Sequence, residues 1–172
     1  MYTRILANFF KKLPALTHLE IAFNKASAQF FKRLSRAVGS MHLRKLKLSN
    51  VVTRYKYLKL FLDSCGYLLS DLTLDRVDFT RSEDHVALYT YFSEELDLKT
   101  CVLRELNFGG KGLLFGRLNQ LLAGDDENRN VALSPQSEGE LVLSGEQVDD
   151  VSSFLIDDMD YIDFRAAWPR VR

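Results

Sequence analysis

A short hydrophobic phrase recurs along the chain with a constant internal spacing. In the segment Leu43–Val51 the leucines stand at positions 43, 46 and 48. In an extended strand Leu46 and Leu48 point to one side, whereas Lys45 and Lys47 point to the other. A single strand of this length cannot bury its apolar side alone. The pattern therefore predicts several such strands, stacked in parallel and sharing one core.

The same one-four-six spacing returns at other places and predicts six strands in all. The further phrases are Leu16-Leu19-Ile21, Leu69-Leu72-Leu74, Leu103-Leu106-Phe108, a weaker phrase in which Glu138 precedes Leu141 and Leu143, and Met159-Ile162-Phe164. Measured between their middle residues, successive phrases are 27, 26, 34, 35 and 21 residues apart. An interval of 26 or 27 residues has room for one strand and one full helix.

Apolar residues at three-four spacing between these phrases predict helices. The predicted helices cover Tyr2–Leu13, Ala26–Val38, Tyr55–Cys65, Glu83–Leu96, Leu113–Leu122 and a short stretch within 148–155. We interpret Gly109–Gly112 as a turn that leads from a strand into a helix. Residues 124–139 have the polar, glycine- and proline-containing composition of a mobile loop inserted between two units.

The phrase resembles the leucine-rich repeat, whose pattern runs Leu-x-x-Leu-x-Leu-x-x-Asn, and the resemblance covers most of the chain. Asn24 occupies the ninth position of the first unit, whereas Val51, Val77 and Lys111 occupy it in later units. The interval of 26–27 residues is similar to the ribonuclease-inhibitor-like style of this repeat. The irregular unit lengths and the Phe- and Leu-rich helices look more like the divergent repeats of fungal F-box-type proteins.

This resemblance implies an α/β fold in the form of a right-handed solenoid, with a parallel sheet on the concave face and helices outside. In the F-box family the repeats select the substrate of a ubiquitin ligase, while an F-box helix bundle docks to the ligase core. The present sequence contains no segment that we can identify as an F-box. The resemblance therefore implies substrate recognition at most, and not the ligase role itself.

Length and composition predict a single domain over 1–172. Of the 172 residues 47% are apolar, and 23 Lys and Arg balance 23 Asp and Glu, so that the formal net charge is zero. A zero net charge gives no global field that would attract nucleic acid or an anionic membrane. The first predicted helix lacks a preceding strand, and we therefore interpret the chain as a fragment of a longer repeat array.

Targeting and redox signals favour the cytoplasm or the nucleus. No apolar run reaches the ~18 residues that a membrane helix needs, and the N-terminus lacks the pattern of a signal peptide. Cys65 and Cys101 are the only cysteines, and no Cys-x-x-Cys pair occurs. Such a composition is typical of a reducing compartment rather than of a disulfide-stabilised secreted domain.

The predicted binding surface is the polar side of the strands, which such arrays use for protein partners. The candidate partner-binding residues are His18, Glu20, Lys45, Lys47, Asp71, Thr73, Asp75, Glu105, Asn107, Tyr161, Asp163 and Arg165. The alternative interpretation is that these side chains keep an exposed sheet face soluble and pair with one another across neighbouring strands.

Other chemistry is weakly indicated. A basic cluster around Arg44, Lys45 and Lys47 could hold a phosphate or an RNA backbone, but Asp71 and Asp75 are expected on the next strand. The three histidines have no cysteine or second carboxylate at ligand spacing, and no nucleophile or phosphate-loop motif is present. We therefore predict no catalytic residue, no metal and no cofactor.

Three functions stay open from the sequence. The chain is a non-catalytic interaction module for a protein partner, or a small-ligand binder or enzyme with a cleft near the Gly109–Gly112 turn, or a truncated remnant of a larger repeat protein. Of these, the sequence favours the interaction module.

Overall fold

The computed structural model describes residues 2–13, 15–37, 41–65, 68–81, 83–114, 140–144 and 163–166. Helices and strands alternate through the first half. The elements are α1 (Tyr2–Lys11), β1 (His18–Ala26), α2 (Ala28–Ala37), β2 (Lys45–Thr53), α3 (Tyr55–Cys65), β3 (Asp71–Phe79), α4 (Asp84–Glu95), β4 (Thr100–Arg104), β5 (Asn107–Phe108), β6 (Lys111–Leu114), β7 (Glu140–Ser144) and β8 (Asp163–Ala166).

The first four strands lie side by side in chain order and run parallel. Leu19 of β1 pairs with Leu46 of β2, and Leu46 pairs with Leu72 of β3. These pairings agree with the sequence intervals of 27 and 26 residues. The predicted α/β class, with a mainly parallel sheet and helices between the strands, is thereby confirmed. The four helices predicted before β4 are present, and α3 has the predicted bounds.

The helices cover one face of this sheet. Helices α2, α3 and α4 pack side by side, and their phenylalanines are buried with the leucines of the strands in a single hydrophobic core. The rings of Phe31 in α2 and Phe61 in α3 have centroids 5.5 Å apart. Alternate strand residues on the other side, such as Lys47 and Thr73, are only half-buried. We call this other side of β1–β4 and β7 the polar face.

A sharp corner interrupts three successive units at equivalent places. Asn50, Arg76 and Glu105 have φ values of 57°, 54° and 46°, in the left-handed region. Each corner residue separates two core positions that stand three apart, as in the pair Leu48 and Val51. The residue at the ninth position of the phrase is therefore a second core residue beyond the corner. This explains why valine rather than asparagine occupies it, with Asn50 one place earlier.

Replacing Asn50 by valine is expected to lower the free energy of unfolding by about 1–2 kcal/mol, because a β-branched side chain clashes with the backbone in the left-handed region. Asn50→Gly is the matched control, since glycine adopts this conformation without strain. Urea unfolding followed by circular dichroism measures both variants. Equal stability of the valine and glycine variants would show that the corner imposes no conformational demand.

The register of the fourth strand differs from the prediction. Cys101 pairs with Leu72 and Leu103 pairs with Leu74, so the fourth unit follows the third after 29 residues rather than 34. The predicted phrase Leu103-Leu106-Phe108 therefore straddles the corner. Leu98, Cys101 and Leu103 have the same one-four-six spacing, but the cysteine in the middle concealed it.

Beyond the corner, Leu106 and Phe108 take the places that Val77 and Phe79 have in the preceding unit. Asn107 and Phe108 of β5 pair with Asp78 and Phe79, and the rings of Phe79 and Phe108 stack with centroids 4.6 Å apart. The spacing of apolar residues does not distinguish the two sides of such a corner, and the prediction was wrong for this reason.

The strands after β5 do not continue the parallel order. β5 and β6 form an antiparallel hairpin whose turn contains Gly109 and Gly110, with φ values of 60° and 84°. The interpretation of Gly109–Gly112 as a strand-to-helix turn is therefore wrong, and so is the predicted helix start, because Leu113 and Leu114 lie in β6. Two glycines with positive φ favour a tight reversal between antiparallel strands.

The predicted parallel direction of the last two strands is also wrong. β7 is antiparallel to β4, and β8 is antiparallel to β6. Alternation of apolar and polar residues predicts which side of a strand is buried, but it is the same for both strand directions. The predicted loop over 124–139, the short helix within 148–155 and residues 159–162 of the last phrase lie outside the described residues.

Candidate functional site

The strand register arranges the polar face in rows that run across the sheet, because directly paired residues point to the same side. The first row contains His18, Lys45, Asp71 and Thr100. The second row contains Glu20, Lys47, Thr73, Val102 and Val142. The third row contains Ala22, Ser49, Asp75 and Arg104.

Opposite charges pair across strands within these rows. Lys47 Nζ lies 2.6 Å from Glu20 Oε1 in the second row, and Lys45 Nζ lies 3.8 Å from Asp71 Oδ1 in the first. Because these side chains are largely exposed, each pair contributes only about 0–1 kcal/mol to stability. The pairs are nevertheless the arrangement expected if the charges mainly serve one another. A partner that used these lysines or carboxylates would first have to separate them.

The second row changes character along its length. It begins with the ion pair of Glu20 and Lys47, continues through Thr73, and ends with two valines. Val102 is half-buried, and Val142, its direct neighbour on β7, is 53% exposed. Leu141 and Leu143, on either side of Val142, are buried. The two valines thus form an apolar step at the edge of an otherwise polar row.

A shallow groove of about 510 Å³ runs over the first two rows. Six of the candidate partner-binding residues line it, namely His18, Glu20, Lys45, Lys47, Asp71 and Thr73. In the first row, His18 Nδ1 is 2.8 Å from the hydroxyl oxygen of Thr17. The groove therefore combines donors and acceptors of both signs along β1–β3.

The structure brings together seven of the twelve candidate residues. Besides the six that line the groove, Asp75 lies in the third row, where its carboxylate accepts two hydrogen bonds from the Arg76 guanidinium, each 3.2 Å long. Glu105 is at the corner and not in the rows. Asn107 lies beyond the corner, beside Asp78.

The remaining three candidates lie elsewhere. The backbone of Asp163 and Arg165 belongs to β8, next to β6 and away from the rows. Tyr161 lies outside the described residues. Sequence reasoning missed Thr100, Val102 and Arg104, which take the row positions on β4. The spacing of Leu98, Cys101 and Leu103 is the signal that would have identified them.

Within the described ranges, no three His, Cys, Asp or Glu side chains lie close enough together to hold a metal ion. Both cysteines are fully buried. Burial, with a smaller contribution from the charge of Asp63, raises the pKa of the Cys65 thiol from 9.0 to about 12. Burial alone raises the pKa of the Cys101 thiol to about 12. Neither group is suited to nucleophilic chemistry, which requires the thiolate.

In the folded protein at pH 8, neither thiol is expected to react with iodoacetamide within an hour. With a pKa of about 12 instead of 9, the thiolate population is roughly a thousandfold lower, and burial also prevents access. Mass spectrometry of labelled protein, with and without urea, measures the reaction. Rapid labelling without urea would contradict the buried positions.

The direction of this pKa shift also predicts a pH dependence of stability. The folded-state pKa lies above the unfolded value of 9.0. The contribution of the two thiols to stability is therefore fully present below pH 9 and decreases as the pH rises from 9 towards 12.

No helix among the described residues has the length and apolar character required to cross a membrane. Comparison with protein-family models gives no match. Searches of curated proteins and of solved structures give no significant match either.

Proposed function

We propose that the chain is a non-catalytic interaction module that binds a protein partner on its polar face. The observation that carries the proposal is the apolar step of Val102 and Val142 at the end of a polar row. Protein interfaces typically have an apolar centre from which charged residues are depleted, surrounded by a polar rim. Thr73 and the ion-paired residues of β1–β3 supply such a rim.

A repeat architecture of the leucine-rich type is part of this proposal. The intervals of 27, 26 and 29 residues between paired strands and the recurrent left-handed corner support it. Parallel strands joined by helices on one face form right-handed crossovers in nearly all proteins, which supports a right-handed solenoid with the polar face on its inner side. The proposed location is the cytoplasm or the nucleus.

Substrate recognition for an F-box-type ubiquitin ligase is the most specific form of this function. It rests on the resemblance of the repeat phrase to fungal F-box-type proteins. The alternative of a ligand-binding or catalytic cleft at Gly109–Gly112 receives less support, because the groove lies over β1–β3 and its lining does not include that turn.

The double substitution Val102→Arg and Val142→Arg tests the proposal. Two arginines at the apolar step are expected to reduce partner capture at least tenfold, since central interface residues commonly contribute more than about 1 kcal/mol each. The measurement is quantitative mass spectrometry of the proteins captured from cell extract by the immobilised full chain.

Val86→Arg provides the matched control, because Val86 is 39% exposed on α4, in the helix layer. This variant is expected to capture the same proteins as the unchanged chain. Thermal melting of each variant separates a lost interaction from lost folding. Equal capture by a folded double variant would exclude the apolar step as a binding surface.

A further inference from the structure

The zero net charge conceals a strong segregation of charge along the chain. Residues 1–62 contain 13 Lys and Arg but a single acidic residue, Glu20. Residues 63–172 contain 10 Lys and Arg and 22 Asp and Glu. The first half is thus strongly cationic and the second strongly anionic. Net charge, which averages over the whole chain, is not informative about the field near either half.

Part of this positive charge lies on neighbouring helices, on the opposite side of the sheet from the polar face. Helix α2 carries Lys32, Arg33 and Arg36 and contains no acidic residue. Helix α3, which packs beside α2, carries Lys56 and Lys59. Arg33, Arg36 and Lys56 are exposed. We call these five residues, together with Tyr57, the basic helix patch.

Tyr57 joins the two helices within the patch. Its ring centroid lies 5.4 Å from Nζ of Lys32 on α2 and 5.1 Å from Nζ of Lys56 on α3. Partial burial acts to raise the pKa of Tyr57, but hydrogen bonding and the charge of Lys32, followed by those of Lys56, lower it. Two ammonium groups from different helices are therefore held near one side chain.

The patch is mostly free of internal neutralisation. Among the described residues, none of Lys32, Arg33, Arg36 and Lys56 forms a salt bridge. Lys59 is the exception, because it pairs with Asp63 and Glu95. This contrasts with the polar face, where Lys45 and Lys47 both have a carboxylate partner. The basic helix patch thus presents charge that an external anion can neutralise.

Exposed apolar side chains accompany this charge. Leu60 is 40% exposed on α3, one turn after Lys56. Ile5 and Phe9 are 57% and 56% exposed on α1, which packs against α2. Ile5 and Phe9 are four residues apart and therefore lie on one side of that helix. A phosphodiester backbone has no apolar group to receive such side chains, whereas the headgroup–acyl boundary of a bilayer does.

We propose that the surface formed by α1, α2 and α3 docks on an anionic phospholipid membrane. The cations of the basic helix patch contact the lipid phosphates and carboxylates, and Leu60, Ile5 and Phe9 enter the headgroup region. The acidic half of the chain, repelled by the same lipids, points away from the membrane. The association is peripheral and reversible, as expected when a basic patch is combined with a few apolar side chains.

Sedimentation with lipid vesicles tests this docking with the full chain. Binding is expected to vesicles of phosphatidylcholine mixed with phosphatidylserine, but not to vesicles of phosphatidylcholine alone. It is expected to weaken as salt is raised, because the attraction is screened. Each Lys or Arg near an anionic surface strengthens binding about fivefold. The triple charge reversal Arg33→Glu, Arg36→Glu and Lys56→Glu is therefore expected to weaken binding by about 100-fold or more.

A matched triple variant controls for net charge. Arg81→Glu, Lys99→Glu and Arg104→Glu make the same change in net charge at exposed positions outside the patch, and this variant is expected to keep most of the binding. Leu60→Asn is expected to weaken binding severalfold through loss of the apolar contact. Thermal melting verifies that each variant is folded.

Several results would overturn the proposal. They are no binding to the phosphatidylserine vesicles at low salt, unchanged binding by the folded patch variant, and equal losses in the two triple variants. Retention on polyuridylate or polyglutamate beads without vesicle binding would also overturn it, and would assign the patch to nucleic acid or to an acidic protein. None of these measurements depends on the polar face, so the proposed function and the membrane docking fail or stand separately.

Discussion

Replacing Phe61 by alanine is expected to lower the free energy of unfolding by about 3–5 kcal/mol. Phe61 is fully buried in α3, and its ring packs against that of Phe31 in α2. Truncation therefore removes the apolar contact between two neighbouring units and leaves a cavity that the surrounding strands cannot fill without moving. Urea unfolding, followed by circular dichroism at equilibrium, measures the change.

The adjacent residue provides the control. Leu60 is 40% exposed on the same helix, and Leu60→Ala is expected to change the free energy of unfolding by no more than about 0.5 kcal/mol. The contrast between neighbours tests which side of α3 faces the sheet. A similar loss of stability in both variants would mean that α3 does not pack as described.

Replacing Leu103 by alanine is expected to cost about 2–5 kcal/mol of unfolding free energy. Leu103 is buried in β4, with Leu74 of β3 on one side and Leu141 of β7 on the other. All three leucines belong to the same core. The substitution therefore opens a cavity where the parallel strands meet the antiparallel strand β7.

Val102→Ala is the corresponding control, because Val102 is half-buried on the polar face. Its expected cost is about 1 kcal/mol or less, since only part of the side chain loses contacts. The comparison tests the register of β4, in which Cys101 and Leu103 point into the core. A larger cost for Val102 than for Leu103 would contradict that register.

The two proposed surfaces differ in how their charges are arranged. On the polar face Lys45 and Lys47 are paired with carboxylates from neighbouring strands, so the apolar step of Val102 and Val142 is the better anchor for a partner. On the helix layer Arg33, Arg36 and Lys56 have no such pairs among the described residues, and charge is expected to dominate there. A protein partner on one side and an anionic surface on the other would be compatible, because the sheet and helices separate them.

The first three units could be predicted well because they depend on local patterns. Leucines two apart determine which side of each strand is buried, and intervals of 26 and 27 residues leave room for one helix between strands. The positions of His18, Lys45 and Asp71 in one row follow from this alone. Where the unit carried a cysteine in place of the central leucine, at Cys101, the same reasoning placed the strand five residues too late. Thr100, Val102 and Arg104 were therefore missed.

The amino-acid pattern thus determines the buried side of each strand, the helices between them and the first part of the polar face, since these follow from side-chain alternation within a few turns of chain. The tertiary structure decides the direction and the neighbours of β7 and β8 and the exposure of Val142. Those properties depend on hydrogen bonds between strands distant in sequence, and a strand of either direction shows the same alternation. Likewise, only the packing of α2 against α3 brings Lys32 and Lys56 to the same tyrosine.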